Sequence, residues 1–259
     1  MAVYDLPISE IGKGANENYL VIDAGNLYTK VAVFGPDFFF KIFEDWLKVA
    51  DLKDIVANRK IKTAILASSR GDIPEKLRKY LKKNFDLLQS GKGLKLPIKS
   101  NYKKGSPGFD RLAASAYAKK MFPGKKTLVI VAGTCITYNV LNAQGEFCGG
   151  AISPGLWMRA KAMHAFTNGL PMVEPDYSKK LKVRGESTDE NLAAGVGYGA
   201  ISEIEGMIAK YKLDSGIEQV LISGGDGKFL AASIKCNIFV SPIEQMVLKG
   251  LYLILKHNV

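Results

Sequence analysis

The feature of this sequence that most constrains its fold is a short segment that occurs twice. Residues 20–26 read LVIDAGN, and residues 128–134, which lie 108 positions later, read LVIVAGT. Five of the seven aligned pairs are identical, and Gly25 with Gly133 is one of them. A repeated supersecondary unit indicates two similar domains. We therefore expect a duplicated architecture.

Each copy of the segment opens the same pattern of strands. An apolar strand ends at the glycine turn, an alternating strand follows it, and a third strand comes after a second turn, at Gly35-Pro36-Asp37 in the first copy. Strands with such tight connections form an antiparallel meander. Helical periodicity follows the meander in each half of the chain. The sequence therefore predicts an α/β fold in which each domain is a mixed sheet with helices.

The domain boundary is predicted at Pro123-Gly124-Lys125, just before the second copy begins. This boundary gives an N-terminal extension (residues 1–18), a first ATPase-type domain (19–124) and a second (125–259). Further expected elements are helices at 44–59, 74–88, 107–122, 154–168, 188–211 and 242–255, a loop at 149–155 and an N-cap at Asp72.

The net charge of +11 raises the question of nucleic-acid binding. Much of the excess lies between Lys76 and Lys104. This region has no RNP-like aromatic motif, zinc-finger spacing or helix-turn-helix pattern. We interpret it as a lysine-rich solvated face that attracts small anionic substrates such as nucleotides, and we do not expect the protein to bind nucleic acid.

Three absences in the sequence indicate the compartment. No apolar run approaches the roughly 18–20 residues that a bilayer span requires. Residues 1–18 lack the basic start and apolar core of a signal peptide. Cys135, Cys148 and Cys236 are widely spaced and match neither a disulfide framework nor a zinc pattern. We expect a cytoplasmic protein without membrane association.

The first glycine turn, Asp23-Ala24-Gly25-Asn26, has the chemistry of a phosphate site. Glycine lets the backbone approach a phosphate because no Cβ intervenes, and the N–H groups of a turn can face the phosphate oxygens. A carboxylate at the strand end can hold Mg²⁺, usually through water, and Lys30 adds a positive charge. An ordinary hairpin turn explains the same residues. The duplication at Gly133-Thr134 favours phosphate binding at both turns.

Asp110 and Arg111 open a predicted helix that is otherwise rich in alanine. An aspartate at a helix N-terminus is stabilised as the anion, so a capped first turn with a surface ion pair is one interpretation. In the other, Asp110 is a general base for a substrate hydroxyl and Arg111 binds a substrate carboxylate. The chemistry of the two side chains does not decide between these interpretations.

Taken in order, the motifs resemble those of the type III pantothenate kinases, in the acetate kinase, sugar kinase, heat-shock ATPase and actin superfamily. The resemblance runs from residue 19 to about residue 228. The matching segments are VIDAGNLYTK at 21–30, GFDRLAA at 108–114, AGTCIT at 132–137, GGAISPG at 149–155, Phe166-Thr167 with Leu170-Pro171, the glycines at 195, 197 and 199, and SGGDG at 223–227.

The resemblance implies two ribonuclease H-like domains of the actin/hexokinase type and a homodimer. It also implies that ATP phosphorylates pantothenate to 4′-phosphopantothenate, the first step of coenzyme A biosynthesis, with Asp110 as the catalytic base and Mg²⁺ held by Asp23 through water. The implied ATP-binding residues are Asp23, Ala24, Gly25, Asn26, Leu27, Tyr28, Thr29, Lys30, Gly133 and Thr134. The implied pantothenate-binding residues are Tyr102, Gly108, Phe109, Asp110, Arg111 and Thr167.

One departure from the family changes the expected chemistry. The family's second glycine turn reads Asp-x-Gly-Thr, and its aspartate is a ligand of a monovalent cation, K⁺ or NH₄⁺. Here the position is Val131, and a valine side chain cannot ligate a hard cation. One hypothesis is therefore a pantothenate kinase that has dispensed with or relocated this cation. The other is a catalytically impaired relative that binds a nucleotide or a partner macromolecule.

Overall fold

The computed structural model describes residues 7–12, 14–71, 73–91, 93–176 and 181–259. Asp72, the expected N-cap, and residues 1–6 of the predicted extension lie outside the described residues. The chain divides into two compact units. The first unit is Met1–Met121 together with Glu244–Val259, and the second unit is Phe122–Ile243.

The first unit is built on a five-stranded sheet in the order β3-β2-β1-β4-β5. β1 pairs antiparallel with β2, and β2 pairs antiparallel with β3, which confirms the predicted meander. β1 also pairs parallel with β4, so the sheet is mixed. The strands are β1 (Asn18–Ala24), β2 (Tyr28–Phe34), β3 (Phe39–Glu44), β4 (Ile61–Ser68) and β5 (Asp86–Gln89).

Three helices of the first unit are α1 (Val49–Val56), α2 (Glu75–Asn84) and α3 (Phe109–Met121). The predicted helix at 74–88 is wrong at its C-terminal end, because α2 stops at Asn84 and β5 follows. The backbone becomes extended at Phe85, with φ −137° and ψ 153°. Phe85 and Leu87 then pack against the core beside the parallel neighbour β4. Tertiary pairing therefore overrides the local helical pattern.

The second unit repeats the first sheet. Its strands have the order β10-β9-β6-β7-β8, with β6 antiparallel to β7 and parallel to β9. The directions and neighbours match those of β5-β4-β1-β2-β3, which confirms the duplication that the sequence repeat predicts. The strands are β6 (Thr127–Ala132), β7 (Cys135–Leu141), β8 (Phe147–Pro154), β9 (Gln219–Ser223) and β10 (Val240–Pro242).

The predicted loop at 149–155 is wrong, because most of it belongs to β8. Gly149 and Gly150 have φ values of 99° and 150°, which other residues rarely adopt. A Cβ on Gly150 would lie 1.9 Å from the carbonyl oxygen of Tyr138. The glycines therefore let β8 lie close to β7, and they do not mark a break in the sheet.

The helices of the second unit are α4 (Leu156–Ala165), α5 (Thr188–Ser215) and α6 (Gly227–Ser233). α5 is capped at both ends, because the Ser187 side chain accepts a hydrogen bond from the Glu190 N–H and Gly216 ends the helix with φ 64°. One apolar core joins α4 and α5 to the sheet, with Leu156 and Ile204 as buried members.

The last helix, α7 (Met246–His257), lies in the first unit, whereas the sequence boundary places it in the second domain, 125–259. A Cβ on Gly250 would lie 1.8 Å from the carbonyl oxygen of Ala113, so α7 and α3 cross in close contact. The ring of Tyr252 stacks on that of Phe34 with centroids 4.7 Å apart. This packing explains why residues 244–259 complete the first core.

Candidate functional site

The first glycine turn joins β1 to β2. Asp23 lies directly opposite Lys30 at the ends of the two strands. The Gly25 N–H donates to the Tyr28 carbonyl at 3.0 Å and closes the turn. The predicted hairpin geometry is therefore present, and it places an acidic and a basic residue side by side at its base.

The carbonyl groups of this turn face the body of the first unit. The Ala24 carbonyl accepts from the Ser69 N–H at 3.0 Å, and the Leu27 carbonyl accepts from the Asp45 N–H at 3.0 Å. Within the part of the chain that the structure describes, the N–H groups of Asn26 and Leu27 have no protein acceptor. Backbone N–H groups left free in a turn form an anion-binding surface. The turn therefore keeps donors available for a phosphate.

The Asp23 carboxylate is buried at the end of β1, with 9% of the residue exposed. Burial raises the pKa of Asp23 to about 6, while the charge of Lys30 opposes the rise, Asp110 adds to it and Arg70 opposes it. A buried carboxylate with a second carboxylate nearby is stabilised by a bound cation. These residues therefore fit Mg²⁺. Within the described ranges, no group of three or more His, Cys, Asp or Glu that could hold a metal ion is present.

Asp110 is the second residue of α3. The Gly108 carbonyl accepts from the N–H groups of Arg111 and Leu112 at 3.1 and 3.2 Å, so the chain enters the helix at Gly108. A Cβ on Gly108 would lie 2.5 Å from Asp110 Oδ1. The carboxylate of Asp110 therefore folds back over bare backbone, and a side chain at position 108 would displace it. Arg111 is buried, with 5% of its surface exposed.

The other predicted pantothenate residues have different surroundings. Tyr102 is exposed in the segment before α3, and its N–H donates to Ser100 Oγ at 3.3 Å. Phe109 is half-buried at the start of α3. Thr167 belongs to the second unit, where its hydroxyl donates to the Met163 carbonyl at 2.7 Å just after α4.

The second glycine turn joins β6 to β7 and is one residue shorter than the first. Its last strand pair is Ala132 with Ile136, and the Gly133 N–H donates to the Cys135 carbonyl at 2.9 Å. Val131 is half-buried and lies opposite Thr137. The second turn therefore has no carboxylate at the strand position that Asp23 occupies in the first.

Two motifs that are distant in the sequence meet at the second turn. A Cβ on Gly155 would lie 1.9 Å from the Gly133 carbonyl oxygen, and a Cβ on Gly224 would lie 1.9 Å from the Ala132 carbonyl oxygen. The Asp226 N–H also donates to the Ala132 carbonyl at 3.2 Å. Backbone of the GGAISPG segment therefore lies against Gly133, and backbone of the SGGDG segment lies against Ala132. Only glycine permits this approach.

A polar cluster that no sequence motif indicates lies beside β8. Glu203 of α5 accepts from the Tyr138 hydroxyl at 2.8 Å and the Ser153 hydroxyl at 2.5 Å, and it pairs with Arg159. Burial acts to raise the pKa of Glu203, but hydrogen bonds from Ser153, Arg159 and Tyr138, with the charge of Arg159, hold it below its usual value. The cluster ties the end of β8 to α5.

Arg70 is a second residue that sequence reasoning missed. It follows β4, and its charge acts on Asp23 from 47 positions away in the sequence. A single arginine after a strand gives no local signal of a role at another turn.

Comparison with known proteins identifies the class of fold. The polyphosphate/ATP-glucomannokinase from Arthrobacter sp. strain KM superposes with a TM-score of 0.50 at 11% identity, covering 94% of this chain and 100% of that one. The fold is that of the actin/hexokinase-type kinases and ATPases. A family model described as type III pantothenate kinase matches residues 19–210. The chain belongs to the type III pantothenate kinase family.

One curated relative agrees with this membership, and one solved structure agrees with the fold. A type III pantothenate kinase from Christiangramia forsetii is 37% identical over 253 residues, covering 92% of this chain and 98% of that protein. The crystal structure of a Baf-family protein from Campylobacter jejuni has a TM-score of 0.59 at 20% identity, covering 92% of this chain and 98% of that one. None of the helices in the described ranges is long and apolar enough to cross a membrane.

Proposed function

We propose that the protein transfers the γ-phosphate of ATP to the primary hydroxyl of pantothenate, giving 4′-phosphopantothenate in the first step of coenzyme A biosynthesis. The observation that carries this proposal is the approach of Asp23 and Asp110 beside a turn with free N–H donors. Phosphoryl transfer depends mainly on positioning and charge neutralisation, and these residues are suited to both. The family membership supports the same activity.

The ATP site in this proposal uses the two glycine turns, Asp23–Lys30 and Gly133-Thr134. The free N–H groups of Asn26 and Leu27 bind phosphate oxygens, and Lys30 adds charge beside Asp23. Asp23 holds Mg²⁺ through water, which relieves the cost of its own burial. When bound, Mg²⁺ neutralises part of the charge on the phosphates.

Asp110 is the general base in the proposal. It lies at the N-terminus of α3, where the helix dipole stabilises the charged carboxylate that accepts a proton. The Asp110 side chain lies against Gly108, and this position restricts the direction from which the hydroxyl of pantothenate can approach the carboxylate. Arg111 suits the carboxylate of pantothenate because a guanidinium binds a carboxylate with two parallel hydrogen bonds. Tyr102, Gly108, Phe109 and Thr167 complete the proposed pantothenate site.

We further propose that the reaction does not require a monovalent cation ligated at position 131, where a valine stands.

In this proposal the two compact units correspond to the two ATPase-type domains, and α7 completes the first of them. The protein acts as a homodimer in the cytoplasm, and its three free cysteines suit a reducing compartment.

An assay of the purified protein with ATP, Mg²⁺ and pantothenate, run separately in K⁺, NH₄⁺ and Na⁺, tests the proposal. We expect phosphopantothenate in all three salts. Absence of phosphopantothenate in all three salts would exclude the pantothenate kinase, and nucleotide binding without turnover would then point to the impaired relative.

A further inference from the structure

The side chain of Arg70 lies under the first glycine turn. It follows β4, and only 12% of the side chain is exposed. Its Nε donates to the Gly25 carbonyl oxygen. Its Nη1 donates to Asp45 Oδ1 at 2.6 Å, and its Nη2 to Thr29 Oγ1 at 3.4 Å. One guanidinium therefore joins the turn, the start of β2 and the segment after β3.

The surroundings of this guanidinium are themselves fixed. Its central carbon lies 5.1 Å from the ring centroid of Trp46. Asp45 adopts a left-handed backbone with φ 57°, and its carbonyl accepts from the buried Thr29 hydroxyl at 2.6 Å. A planar fork of donors matches these three acceptors, whereas the single ammonium of a lysine cannot. The arrangement is therefore specific for arginine.

The hydrogen bond to Gly25 also sets the direction of a neighbouring donor. The Gly25 carbonyl and the Asn26 N–H belong to one peptide unit, and a trans peptide is planar with these groups pointing in opposite directions. Because Arg70 holds the carbonyl on the protein side, the Asn26 N–H points away from it. Rotation of this peptide unit would turn a carbonyl oxygen towards a phosphate.

We propose that Arg70 is a positioning residue for nucleotide, which fixes the Gly25–Asn26 peptide so that the Asn26 N–H faces the phosphates of ATP. This inference rests on the ATP site proposed above. Arg70 acts through the turn, and its stack on Trp46 provides a spectroscopic signal of the turn's state.

The test compares Arg70→Lys with Arg59→Lys. Arg59 lies before β4, donates to the Asp37 and Ile55 carbonyls and has its central carbon 5.0 Å from the ring centroid of Phe39, so it has a similar bonding pattern at the other end of the strand. In Arg70→Lys we expect the dissociation constant and KM for MgATP to rise about tenfold. We expect KM for pantothenate to stay near the wild-type value, and Arg59→Lys to leave both constants unchanged.

Trp46 gives a second measurement. The chain has two tryptophans, so a Trp157→Phe background leaves Trp46 as the only one. We expect MgATP to change the Trp46 fluorescence, and Arg70→Lys to weaken that change at equal nucleotide. Asp45→Asn removes the negative charge of an exposed side chain that pairs with the Arg70 guanidinium, and so weakens the interaction that holds this guanidinium in place. It provides a second variant if Arg70→Lys unfolds, and we expect a smaller rise in KM for ATP.

The outcomes separate this inference from the proposed function. Weakened MgATP binding in Arg70→Lys supports the positioning role even if the wild type forms no phosphopantothenate, which would refute only the kinase. Unchanged MgATP affinity in both Arg70→Lys and Asp45→Asn would overturn the positioning role. Equal rises in both KM values with a lowered Tm would also overturn it, because they would show general destabilisation. A wild type that binds no MgATP would refute both proposals.

Discussion

The Asp110 carboxylate lies close enough to Asp23 to act together with burial in raising the pKa of Asp23 to about 6, against the opposing charges of Lys30 and Arg70. The sequence separates these residues by 87 positions, yet the fold brings the strand end and the helix start together. Two neighbouring carboxylates repel one another, and a bound cation relieves that repulsion. The repulsion between Asp23 and Asp110 therefore lowers the stability of the metal-free protein, and the same two carboxylates favour the binding of a cation.

The first prediction concerns the stability of the metal-free protein. The pKa of Asp23 rises from its ordinary 3.8 to about 6 on folding, so the folded state binds more protons than the unfolded state between these values. This contribution destabilises the protein as pH rises through that window. Asp23→Asn removes it. We expect the variant to match the wild type near pH 4 and to exceed its free energy of unfolding by on the order of 3 kcal/mol at pH 7.

Urea unfolding in EDTA at a series of pH values measures this difference. Asp86→Asn, an exposed carboxylate of the same sheet that pairs loosely with Lys62 at 3.8 Å, is the control. A difference between wild type and Asp23→Asn that does not vary with pH would show that the carboxylate is not buried as described.

The second prediction concerns the crossing of α3 and α7. Gly250→Ala places a Cβ 1.8 Å from the Ala113 carbonyl oxygen. Neither atom can move away unless the backbone of its helix moves. We expect a loss of about 1–3 kcal/mol in the free energy of unfolding, measured by chemical denaturation. Gly206→Ala in α5 is the matched control, because a Cβ there has no neighbour within 4 Å. It should gain about 1 kcal/mol, and a loss of similar size in both variants would refute the close crossing.

The third prediction concerns Glu203. Glu203→Gln removes the charge that pairs with Arg159 and weakens the hydrogen bonds from Tyr138 of β7 and Ser153 of β8, so we expect a loss of about 1–3 kcal/mol at pH 7. Because the pKa of Glu203 is lowered in the fold, its contribution is present above the ordinary value of 4.5 and is lost as pH falls. Glu218→Gln, whose ion pair with Lys125 is exposed, should change stability much less. Equal effects of the two substitutions would argue against a structural role of the cluster.

The fourth prediction concerns the cation. We expect the wild-type kinase to have the same rate in K⁺, NH₄⁺ and Na⁺, because Val131 offers no oxygen ligand. Val131→Asp adds a carboxylate at this half-buried strand position, and we expect the rate of the variant to depend on K⁺ or NH₄⁺. Val131→Ile, which offers no oxygen ligand either, is the control and should remain independent of the salt. A wild type that requires K⁺ would show that other groups hold the cation.

The sequence predicts the duplicated sheets well because the repeated apolar strands and their glycine turns are local signals. The antiparallel meander at the start of each sheet follows from these signals, whereas the parallel pairing of β4 and β5 does not. The sequence fails at Gly149 and Gly150, where glycine marks a close strand contact and not a loop. It also fails for α7, because an amphipathic helix does not reveal which core it covers.

The candidate site is predictable in part for the same reason. Asp23 and Asp110 stand beside glycines in short motifs, so each is visible as a candidate. Arg70 and Glu203 are not visible, because each acts through partners that the fold supplies from distant segments. Only the three-dimensional structure shows that Arg70 reaches Gly25.

The central claim is that the protein phosphorylates pantothenate with Asp110 as the base. The most direct test is the initial rate at which phosphopantothenate forms from ATP and pantothenate with Mg²⁺, measured for the wild type and for Asp110→Asn. We predict product from the wild type and a rate about 100- to 10,000-fold lower in the variant, with MgATP binding retained. No product from the wild type, or an unchanged rate in Asp110→Asn, would contradict the claim.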